Sequence, residues 1–524
     1  MAHGKVTRAT FLRGAAVGAG GIMIGGLAAC GSDSSSGSGS TTGGKPKRGG
    51  VLQFAVTDAS ESEALDPLPA VNQHHALYSS LIWEYLVGVD DEYRPQPHLA
   101  TKWSSTPDAS QWTFELRPDV KWQDGKPLTS KDVAWTIKRI LDEKNGSPSY
   151  SSFAEVLDPS GLDTSDPLVL VARLKRPDAL FPQLFIFDGT EIVQDGWEPD
   201  GKPQNAVGTG PFIAKRFKPG EGFEVVKNPD YWGGAPYLDG ARSVVIADPA
   251  SKLQSVLSGP SHVTDNVTPA NIKSTESFPV DLIRINDFYI TYFTMDTTQK
   301  PFDNNDVRMA FKLAADREKI LNIAFAGYGT QGNDSSAPVG SPWVPDSAAR
   351  RRDVAKAKEL LAKAGYPDGL DIELVTADIL GGFSDAAVVY AASAKEAGIN
   401  VSIKQAPIDT YFDQIWLKKP FYVDYLGALQ PLLALQLSFV PDAPYNETFL
   451  KPSKAAEYVE RGLKEIDQAK QDAITTEAMQ WQSDNEGIVT TGFLDKLKIQ
   501  KKEVRGATYS KNGQGDYSKA WLEA

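Results

Sequence analysis

Short segments in which apolar residues alternate with polar ones recur from about residue 50 onward. The run VLQFAV at 51–56 is mainly apolar, and Trp112, Phe114 and Leu116 alternate with polar residues. Alternation with a period of two places every second side chain on one face, which is typical of a half-buried strand. We therefore expect strands at 51–56 and around 112–116.

The spacing of apolar residues becomes helical after Thr129. Val133, Ile137 and Ile140 recur at intervals of three and four, so they share one face of a helix. Thr129 is followed three residues later by Asp132, which forms an N-cap pattern. In this pattern each side chain accepts a hydrogen bond from the backbone N–H of the other residue. The pattern predicts a helix that begins directly after Thr129.

From about residue 294 to the C-terminus, segments with helical spacing and segments with strand spacing follow each other. A strand, a helix and a second strand in direct succession favour a parallel sheet with right-handed crossovers. The predicted elements are a helix capped by Asn304 or Asn305, a helix through 354–364 that stops at Gly365, a strand DIELVTA, a helix from Ser384 to Ala397, a strand INVSIKQA, a helical stretch at about 454–484 and a last apolar run at 487–497.

Composition and charge narrow the classes of protein that fit. The 524 residues are 41% hydrophobic and 10% aromatic, which is enough for packed cores in two or three domains. The net charge is −13, and the first 29 residues contribute three basic residues and no acid, so the remainder carries −13 − 3 = −16. An acidic body without a long basic stripe repels phosphate backbones. We expect no nucleic-acid partner.

The first 29 residues have the layout of a secretory leader. Residues 1–13 are basic and residues 14–29 are apolar and small, in a run too short to span a bilayer. Residues 27–30, LAAC, resemble a bacterial lipobox, so Cys30 is expected to carry a lipid after cleavage of the signal peptide at 1–29. The alternative is a buried or redox-active cysteine. The Ser/Gly-rich segment at 30–48 is expected to act as a flexible tether.

The export route stays open between two systems. The segment TRATFLR at 7–13 resembles a twin-arginine motif in which Ala9 replaces the second arginine. The Gly-rich, weakly apolar core of the leader fits that route as well. Export by the general secretory route is an equal alternative.

Sequence motifs of common catalytic centres are missing. The chain has no His-Glu-x-x-His, no Gly-x-Ser-x-Gly and no Walker loop, and the turn at 208–210 lacks the third glycine of a dinucleotide-binding motif. His74 and His75 could bind a metal, but neighbouring residues on a helix point in different directions, so we expect a packing or surface role. A carboxylate pair for glycoside hydrolysis stays open. We expect no cofactor and no metal.

Four segments together resemble the family 5 extracellular solute-binding proteins of ABC importers, a group of peptide, nickel and opine binders. Their order and spacing fit the family over nearly the whole chain after residue 49. The segments are LATKWSSTPDASQWTFELRPDVKWQDGKPLTSKDVAWTIKRI, VGTGPFIAKRFKPGEGFEVVKNPDYWGGAPYLDG, PFDNNDVRMAFKLAADREKI and AKAKELLAKAGYPDG.

The resemblance implies an α/β, two-lobed type II periplasmic-binding-protein fold with a hinge. Lobe I would comprise 49–292 and 486–524, with an extra subdomain at about 88–205, and lobe II would comprise 293–485. Crossovers near 288–295 and 487–494 would form the hinge. A small organic ligand would bind between the lobes of a monomer and favour closure. An ABC permease with its ATPase subunits would then recognise the closed form.

Family position also suggests where the ligand would contact the chain. Turns offer backbone groups for polar parts of a ligand, and aromatic side chains offer flat apolar walls. For each candidate, a place in a core or on the surface is the alternative. The candidate ligand-binding residues are Asn72, Thr209, Asp378, Trp416, Tyr422, Tyr425 and Gln430.

The sequence departs from the dipeptide-binding members at both charged ends of the ligand. Where those members have an aspartate for the peptide amine, this chain has GALQP at 427–431, and where they have an arginine for the carboxylate, it has VTADI at 375–379. A charged ligand end that is buried without its partner is costly. We therefore expect a ligand other than a free dipeptide, and Asp378 could meet a cationic or hydroxyl-bearing group. Peptide-like, opine-like, cationic and polyhydroxylated solutes stay open.

Two other functions remain as alternatives to a non-enzymatic import receptor. A secreted lipoprotein hydrolase would need convergent catalytic groups in the cleft. A sensory or chaperone-like relative would keep the fold but signal to another receptor. The leading expectation is a lipid-anchored receptor on the outer face of the cell membrane.

Overall fold

The computed structural model describes residues 45–441, 443 and 445–523 of the chain. The predicted signal peptide at 1–29, the lipidation site Cys30 and residues 30–44 of the tether lie outside the described residues. Within the described part, no helix is both long and apolar enough to cross a membrane.

Strands and helices are distributed along the whole described chain. The strands are β1 Val51–Val56, β2 Val87–Val89, β3 Pro95–Pro97, β4 Ala100–Ser105, β5 Gln111–Leu116, β6 Leu157–Asp166, β7 Val169–Leu174, β8 Phe212–Lys218, β9 Gly222–Lys227, β10 Gly240–Val245, β11 Val263–Thr264, β12 Val280–Met295, β13 Gly329–Thr330, β14 Leu370–Thr376, β15 Ile399–Gln405, β16 Phe421–Gly427, β17 Ile488–Lys501, β18 Val504–Arg505, β19 Thr508–Tyr509, β20 Gly515–Asp516 and β21 Trp521–Leu522. The α-helices are α1 Gln73–Ile82, α2 Ser130–Ile140, α3 Tyr150–Val156, α4 Pro249–Leu257, α5 Pro269–Ile272, α6 Asn305–Ala314, α7 Arg317–Ala324, α8 Val354–Lys363, α9 Phe383–Lys395, α10 Tyr411–Gln414, α11 Pro431–Ser438, α12 Ala455–Leu463 and α13 Gln468–Asn485.

One large mixed sheet runs through the molecule in the order β15-β14-β16-β12-β17-β11-β1-β10-β9-β8, with β13 added on β17. We call the part from β11 to β8, with its packed helices and the separate sheet β4-β5-β7-β6, lobe I. The part from β15 to β16, with helices α6 to α13, is lobe II. Each lobe has its own hydrophobic core, and β12 and β17 belong to both lobes.

The two strands shared by the lobes are paired antiparallel over almost their whole length. Their register runs from Val280 opposite Lys501 to Thr294 opposite Ile488, with an irregularity between Ile285 and Tyr289. The crossovers expected near 288–295 and 487–494 therefore lie within longer strands. A second irregularity lies between Thr291 and Tyr292.

The predicted strands and helix starts that define the two lobes are confirmed. Thr129 caps α2 in a reciprocal pattern with Asp132, and Asn304 accepts a hydrogen bond from the Asp306 backbone at the start of α6. Strands β14 and β15 are parallel neighbours, as the strand–helix–strand succession predicted. The helical stretch at about 454–484 divides into α12 and α13.

Candidate ligand-binding cleft

The candidate site lies where parallel strands of the two lobes end. In lobe I, β1 pairs in parallel with β10 and β11, and Asp58 and Asp265 follow the carboxyl ends of β1 and β11. In lobe II, Asp378 follows the carboxyl end of β14. The carboxyl ends of parallel strands are the usual position for ligands in such sheets. The lobes approach each other here, since a Cβ on Gly381 would lie 3.6 Å from Thr268.

The Asp58 carboxylate is fixed by the start of α1. The Gln73 backbone N–H donates to Asp58 Oδ2 over 2.8 Å. Asn72 caps the helix, and its side-chain nitrogen donates to the Asp58 carbonyl oxygen over 2.8 Å and to Glu63 Oε1 over 2.7 Å. Burial is the main cause that raises the pKa of Asp58, and the negative charge of Asp265 raises this pKa further. Asn72 therefore organises the wall of lobe I that carries Asp58.

Three ammonium groups surround Asp265. Lys498 Nζ lies 3.8 Å from Asp265 Oδ2, and Lys252 Nζ donates to the Asp265 carbonyl oxygen over 2.8 Å. Burial alone would raise the pKa of Asp265, but the charges of Lys498, Lys252 and Lys496 outweigh it and hold that pKa below its usual value. Burial lowers the pKa of Lys498 to about 8. The three lysines therefore favour the charged form of the Asp265 carboxyl group.

Lys496 is the most loosely paired charge of the cleft. Its side chain is nearly inaccessible, with 3% of the residue exposed. Its ammonium group donates to Gln73 Oε1 and lies 4.8 Å from the centre of the Phe288 ring. Among the described residues, no carboxylate oxygen lies within 4.0 Å of Lys496 Nζ. Burial lowers the pKa of Lys496, while more distant carboxylates oppose that shift.

A row of aromatic side chains leads from Lys496 into lobe II. The ring centres of Phe288 and Tyr289 are 4.7 Å apart, those of Tyr289 and Tyr425 are 5.7 Å apart, and those of Tyr425 and Phe383 are 6.3 Å apart. Phe288 and Tyr289 are half-buried, so part of each ring stays accessible. Burial raises the pKa of Tyr289, and the negative charge of Asp265 raises it further. Phe288 and Tyr289 are the accessible part of this row, and Tyr425 and Phe383 back it from the core of lobe II.

The C-terminal hairpin β19–β20 covers the site from the side of lobe I. Gln514 Nε2 donates to Asp188 Oδ1 over 2.6 Å, and Lys511 Nζ donates to the Asn286 carbonyl oxygen in β12 over 2.6 Å. A Cβ on Gly513 would lie 2.8 Å from Phe288 Cε2, so only glycine permits this approach. The hairpin therefore connects lobe I with strand β12 next to Lys496.

Four of the residues that we expected to bind ligand lie at or near this cleft. Asn72 and Tyr425 belong to its two walls. Asp378 is exposed, and its Oδ1 accepts from the Ser384 backbone N–H over 3.0 Å at the start of α9. Gln430 is buried and caps α11, where its side-chain oxygen accepts from the Leu433 backbone over 3.1 Å. Ligand contact by these residues stays a prediction.

Three of the expected residues lie elsewhere. Thr209 is buried in a turn that packs on the carbonyl of Ile82, at the far end of α1 from Asn72. Ten helical residues separate these ends by about 15 Å. Tyr422 is fully buried near the start of β16, where its hydroxyl accepts from the Leu417 N–H, and Trp416 packs on the same core. The described contacts of these three side chains do not include Asp58 or Lys496, and ligand contact by them stays a prediction.

Sequence reasoning missed the charges on which the cleft is built. On β17, Lys496, Lys498 and Gln500 alternate with Leu497 and Ile499, and the latter two pack into a core of lobe I. The apolar run predicted at 487–497 includes Lys496 but ends before Lys498 and Gln500. The available signal was the alternation of polar and apolar residues at 496–500, which is the same in any half-buried strand.

The histidine pair has hydrogen-bonding partners within lobe I. His74 Nδ1 lies 2.9 Å from Glu63 Oε2, and its Nε2 lies 2.9 Å from Ser243 Oγ. His75 Nε2 lies 2.6 Å from the Asp66 carbonyl oxygen. Within the described part of the chain, no three His, Cys, Asp or Glu side chains come together as a possible metal site.

The architecture described above is that of a type II periplasmic binding protein. The family model "Bacterial extracellular solute-binding proteins, family 5 Middle" matches residues 94–430, which is more than half of the chain. The chain belongs to this family of solute-binding proteins, which serve ABC importers.

Curated relatives are similar to this chain over much of its length. The periplasmic oligopeptide-binding protein OppA of Escherichia coli K12 is 26% identical over 493 residues, which cover 86% of this chain and 89% of OppA. The glutathione-binding protein GsiB of Shigella boydii is 26% identical over 324 residues, which cover 61% of this chain and 62% of GsiB.

Solved structures are similar in fold. The ABC transporter substrate-binding protein CtaP of Listeria monocytogenes superposes with a TM-score of 0.79 at 21% identity, over 91% of this chain and all of that chain. The binding protein AgaA of A. tumefaciens R10, in complex with agropinic acid, superposes with a TM-score of 0.71 at 23% identity, over 91% of this chain and 99% of that chain.

Proposed function

We propose that this protein is a lipid-anchored receptor that captures a small organic solute between its lobes and delivers it to an ABC permease with its ATPase subunits. The observation that carries the proposal is the arrangement at the junction of the lobes. Buried charges of lobe I lie next to an aromatic row that leads into lobe II, and β12 and β17 run through both lobes. A ligand that touches both walls would stabilise the closed form.

The proposed anchor is a diacylglycerol on Cys30, which follows from the lipobox-like residues 27–30. Acyl chains contribute about 0.8 kcal/mol per buried methylene to membrane binding. The Ser/Gly-rich segment at 30–48 would hold the lobes away from the membrane on its outer face. We propose lobe limits of 49–292 with 486–524, and 293–485, with a subdomain at about 88–205.

The proposed ligand is peptide-like or opine-like but not a free dipeptide. OppA and GsiB are named for oligopeptides and glutathione, and the AgaA structure holds agropinic acid. In this chain the side-chain oxygen of Gln430 already caps α11, and Asp378 accepts from the Ser384 backbone. Gln430 carries no charge for the ammonium group of a dipeptide, and Asp378 is an acid where the dipeptide carboxylate would need a base.

The test of this proposal is recovery of a bound compound and a change of shape. Protein purified from the cells that produce it is analysed by native mass spectrometry, and the released compound is added back to ligand-free protein. We expect one compound per chain, recovered unmodified, and a smaller radius of gyration by X-ray scattering when it binds.

Three results would contradict the proposal. One is conversion of the compound to a product, which would indicate a hydrolase. A second is binding without any change in the radius of gyration. The third is a protein that keeps residues 1–29 and carries no lipid at Cys30, which would remove the anchor but leave the solute receptor intact.

A further inference from the structure

Lys496 is a buried ammonium group with fewer partners than its environment requires. It has three N–H donors, and Gln73 Oε1 is a neutral acceptor for one of them. The carboxylates that influence it most, Asp265, Asp188 and Asp58, lie beyond contact distance. A buried charge is costly unless it is paired and hydrogen-bonded. Its place on a strand shared by both lobes puts this unpaired charge at the junction of the cleft.

The neighbours of Lys496 already have partners of their own. Asp265 Oδ2 lies 3.8 Å from Lys498 Nζ, the Asp265 carbonyl oxygen accepts from Lys252, and Asp58 accepts the Gln73 backbone N–H. Asp188 accepts from the side chains of Gln514 and Tyr85. None of these three carboxylates lies within 4.0 Å of Lys496 Nζ.

We propose that the ligand carries a carboxylate that pairs with Lys496, and that an apolar or aromatic part of the same ligand lies along Phe288 and Tyr289. This inference rests on the proposed function and narrows its ligand to organic acids, including zwitterions. The distance of 4.8 Å from Lys496 Nζ to the Phe288 ring centre places the two recognition elements side by side. A carboxylate attached to a flat or apolar group fits that spacing.

A carboxylate suits this position better than a phosphate. Phosphate sites in proteins gather several cationic groups or a fan of backbone N–H groups around three oxygens. Here Asp58 and Asp265 contribute negative charge close by, and the first N–H of α1 already binds Asp58. A dianion would be repelled, whereas a monovalent carboxylate needs only the one ammonium group.

The test uses the small solutes of yeast extract as the probe. One portion is treated with carbodiimide and methylamine, which converts carboxyl groups to N-methylamides, and a second portion is mock-treated. We expect the mock-treated solutes to raise the Tm of the ligand-free protein, and the amidated solutes to lose most of that shift. Pretreatment with alkaline phosphatase should leave the shift unchanged.

Two variants locate the effect. In Lys496→Met the extract concentration that gives half of the Tm shift should rise about tenfold to a hundredfold, the loss expected when a charged hydrogen-bonding partner is removed. Lys502→Met is the matched control, because Lys502 is exposed just beyond β17, and it should behave as the wild type. If Lys496→Met does not fold, the amidation experiment on the wild type decides alone.

Each outcome separates this inference from the proposed function. If amidated solutes shift the Tm as strongly as mock-treated ones, or Lys496→Met responds as the wild type, solute capture stands and the carboxylate is wrong. If phosphatase abolishes the shift, the anionic group is a phosphate and the carboxylate is again wrong. If neither portion shifts the Tm, the proposed function and this inference both fail.

Discussion

Two groups of buried charges lie beside strand β17, and they are paired in different ways. In lobe II, Arg317 and Arg350 hold the two oxygens of Asp334 at 2.6 and 2.9 Å, and the Thr490 backbone N–H of β17 donates to the same carboxylate over 3.0 Å. We call this group the lobe II cluster. At the cleft, Lys498 lies 3.8 Å from Asp265 and Lys496 has no contact carboxylate among the described residues.

The difference separates a structural role from a binding role. A buried carboxylate between two guanidinium groups, with a backbone N–H as a further donor, has its charge paired within the chain. Charges at the cleft are buried without complete pairing, which costs stability in the ligand-free protein. A ligand that completes the pairing recovers that free energy. Removal of a charge should therefore have opposite consequences in the two places.

The largest effect is expected in the lobe II cluster. Asp334→Asn leaves Arg317 and Arg350 buried without their anion, which should lower the free energy of unfolding by about 3–5 kcal/mol. Glu359→Gln is the control, because its pair with Lys356 is exposed and contributes about 0–1 kcal/mol. Urea denaturation measures both. Equal losses in the two variants would show that the lobe II cluster is not a structural unit.

The next effect is a pH dependence of the cleft. Burial depresses the pKa of Lys498 from 10.5 to about 8, so the unfolded chain binds more protons between these values. Folding stability should rise as the pH increases from 8 to 10.5, by up to about 3 kcal/mol, and the full penalty should be present below pH 8.

In Lys498→Met, the part of the rise in folding stability that comes from Lys498 should be absent. Burial lowers the pKa of Lys312 in α6 to about 7, so Lys312 contributes a similar rise in stability to the wild type and to Lys498→Met. The difference between the two curves of stability against pH therefore isolates Lys498. If the stability of the wild type and that of Lys498→Met changed in parallel from pH 8 to 10.5, burial would not depress the pKa of Lys498.

A smaller effect should follow from Lys496→Met in the absence of ligand. Exchange of a loosely paired buried charge for an apolar side chain of similar length should leave stability unchanged or raise it by about 1 kcal/mol. Thermal unfolding of the ligand-free variant checks this. A loss as large as that of Asp334→Asn would mean that Lys496 is paired as completely as Asp334 is, and the comparison between the two groups would fail.

The fold could be predicted from the sequence because local patterns determined most of its elements. Thr129 with Asp132 marked a helix start, and the DIELVTA and INVSIKQA segments marked parallel strands. The lobes and their family followed from four long segments that resemble known members. These signals are local, so they can be interpreted without knowing which distant residues are in contact.

The site was harder to predict because its residues come from distant parts of the chain. Lys496 meets Gln73 across more than four hundred residues, and Asp265 meets Lys498 across more than two hundred. Position within the family led to Tyr425 and Asn72, which lie in the two walls of the cleft. It led equally to Thr209, because a turn with two glycines looks the same whether it binds a ligand or packs on a helix end.

The smallest effect is expected at Thr209, which also sharpens the comparison. Its hydroxyl is buried and has no hydrogen-bond partner among the described residues, so its pairing is as incomplete as that of Lys496. It lies at the far end of α1 from the cleft. Thr209→Val removes the hydroxyl at nearly constant volume and should raise the free energy of unfolding by up to about 1 kcal/mol. The response to yeast-extract solutes should stay within twofold of the wild type. A large loss of that response would show that incomplete pairing marks a binding residue even outside the cleft, and the ligand site would then have to extend along α1.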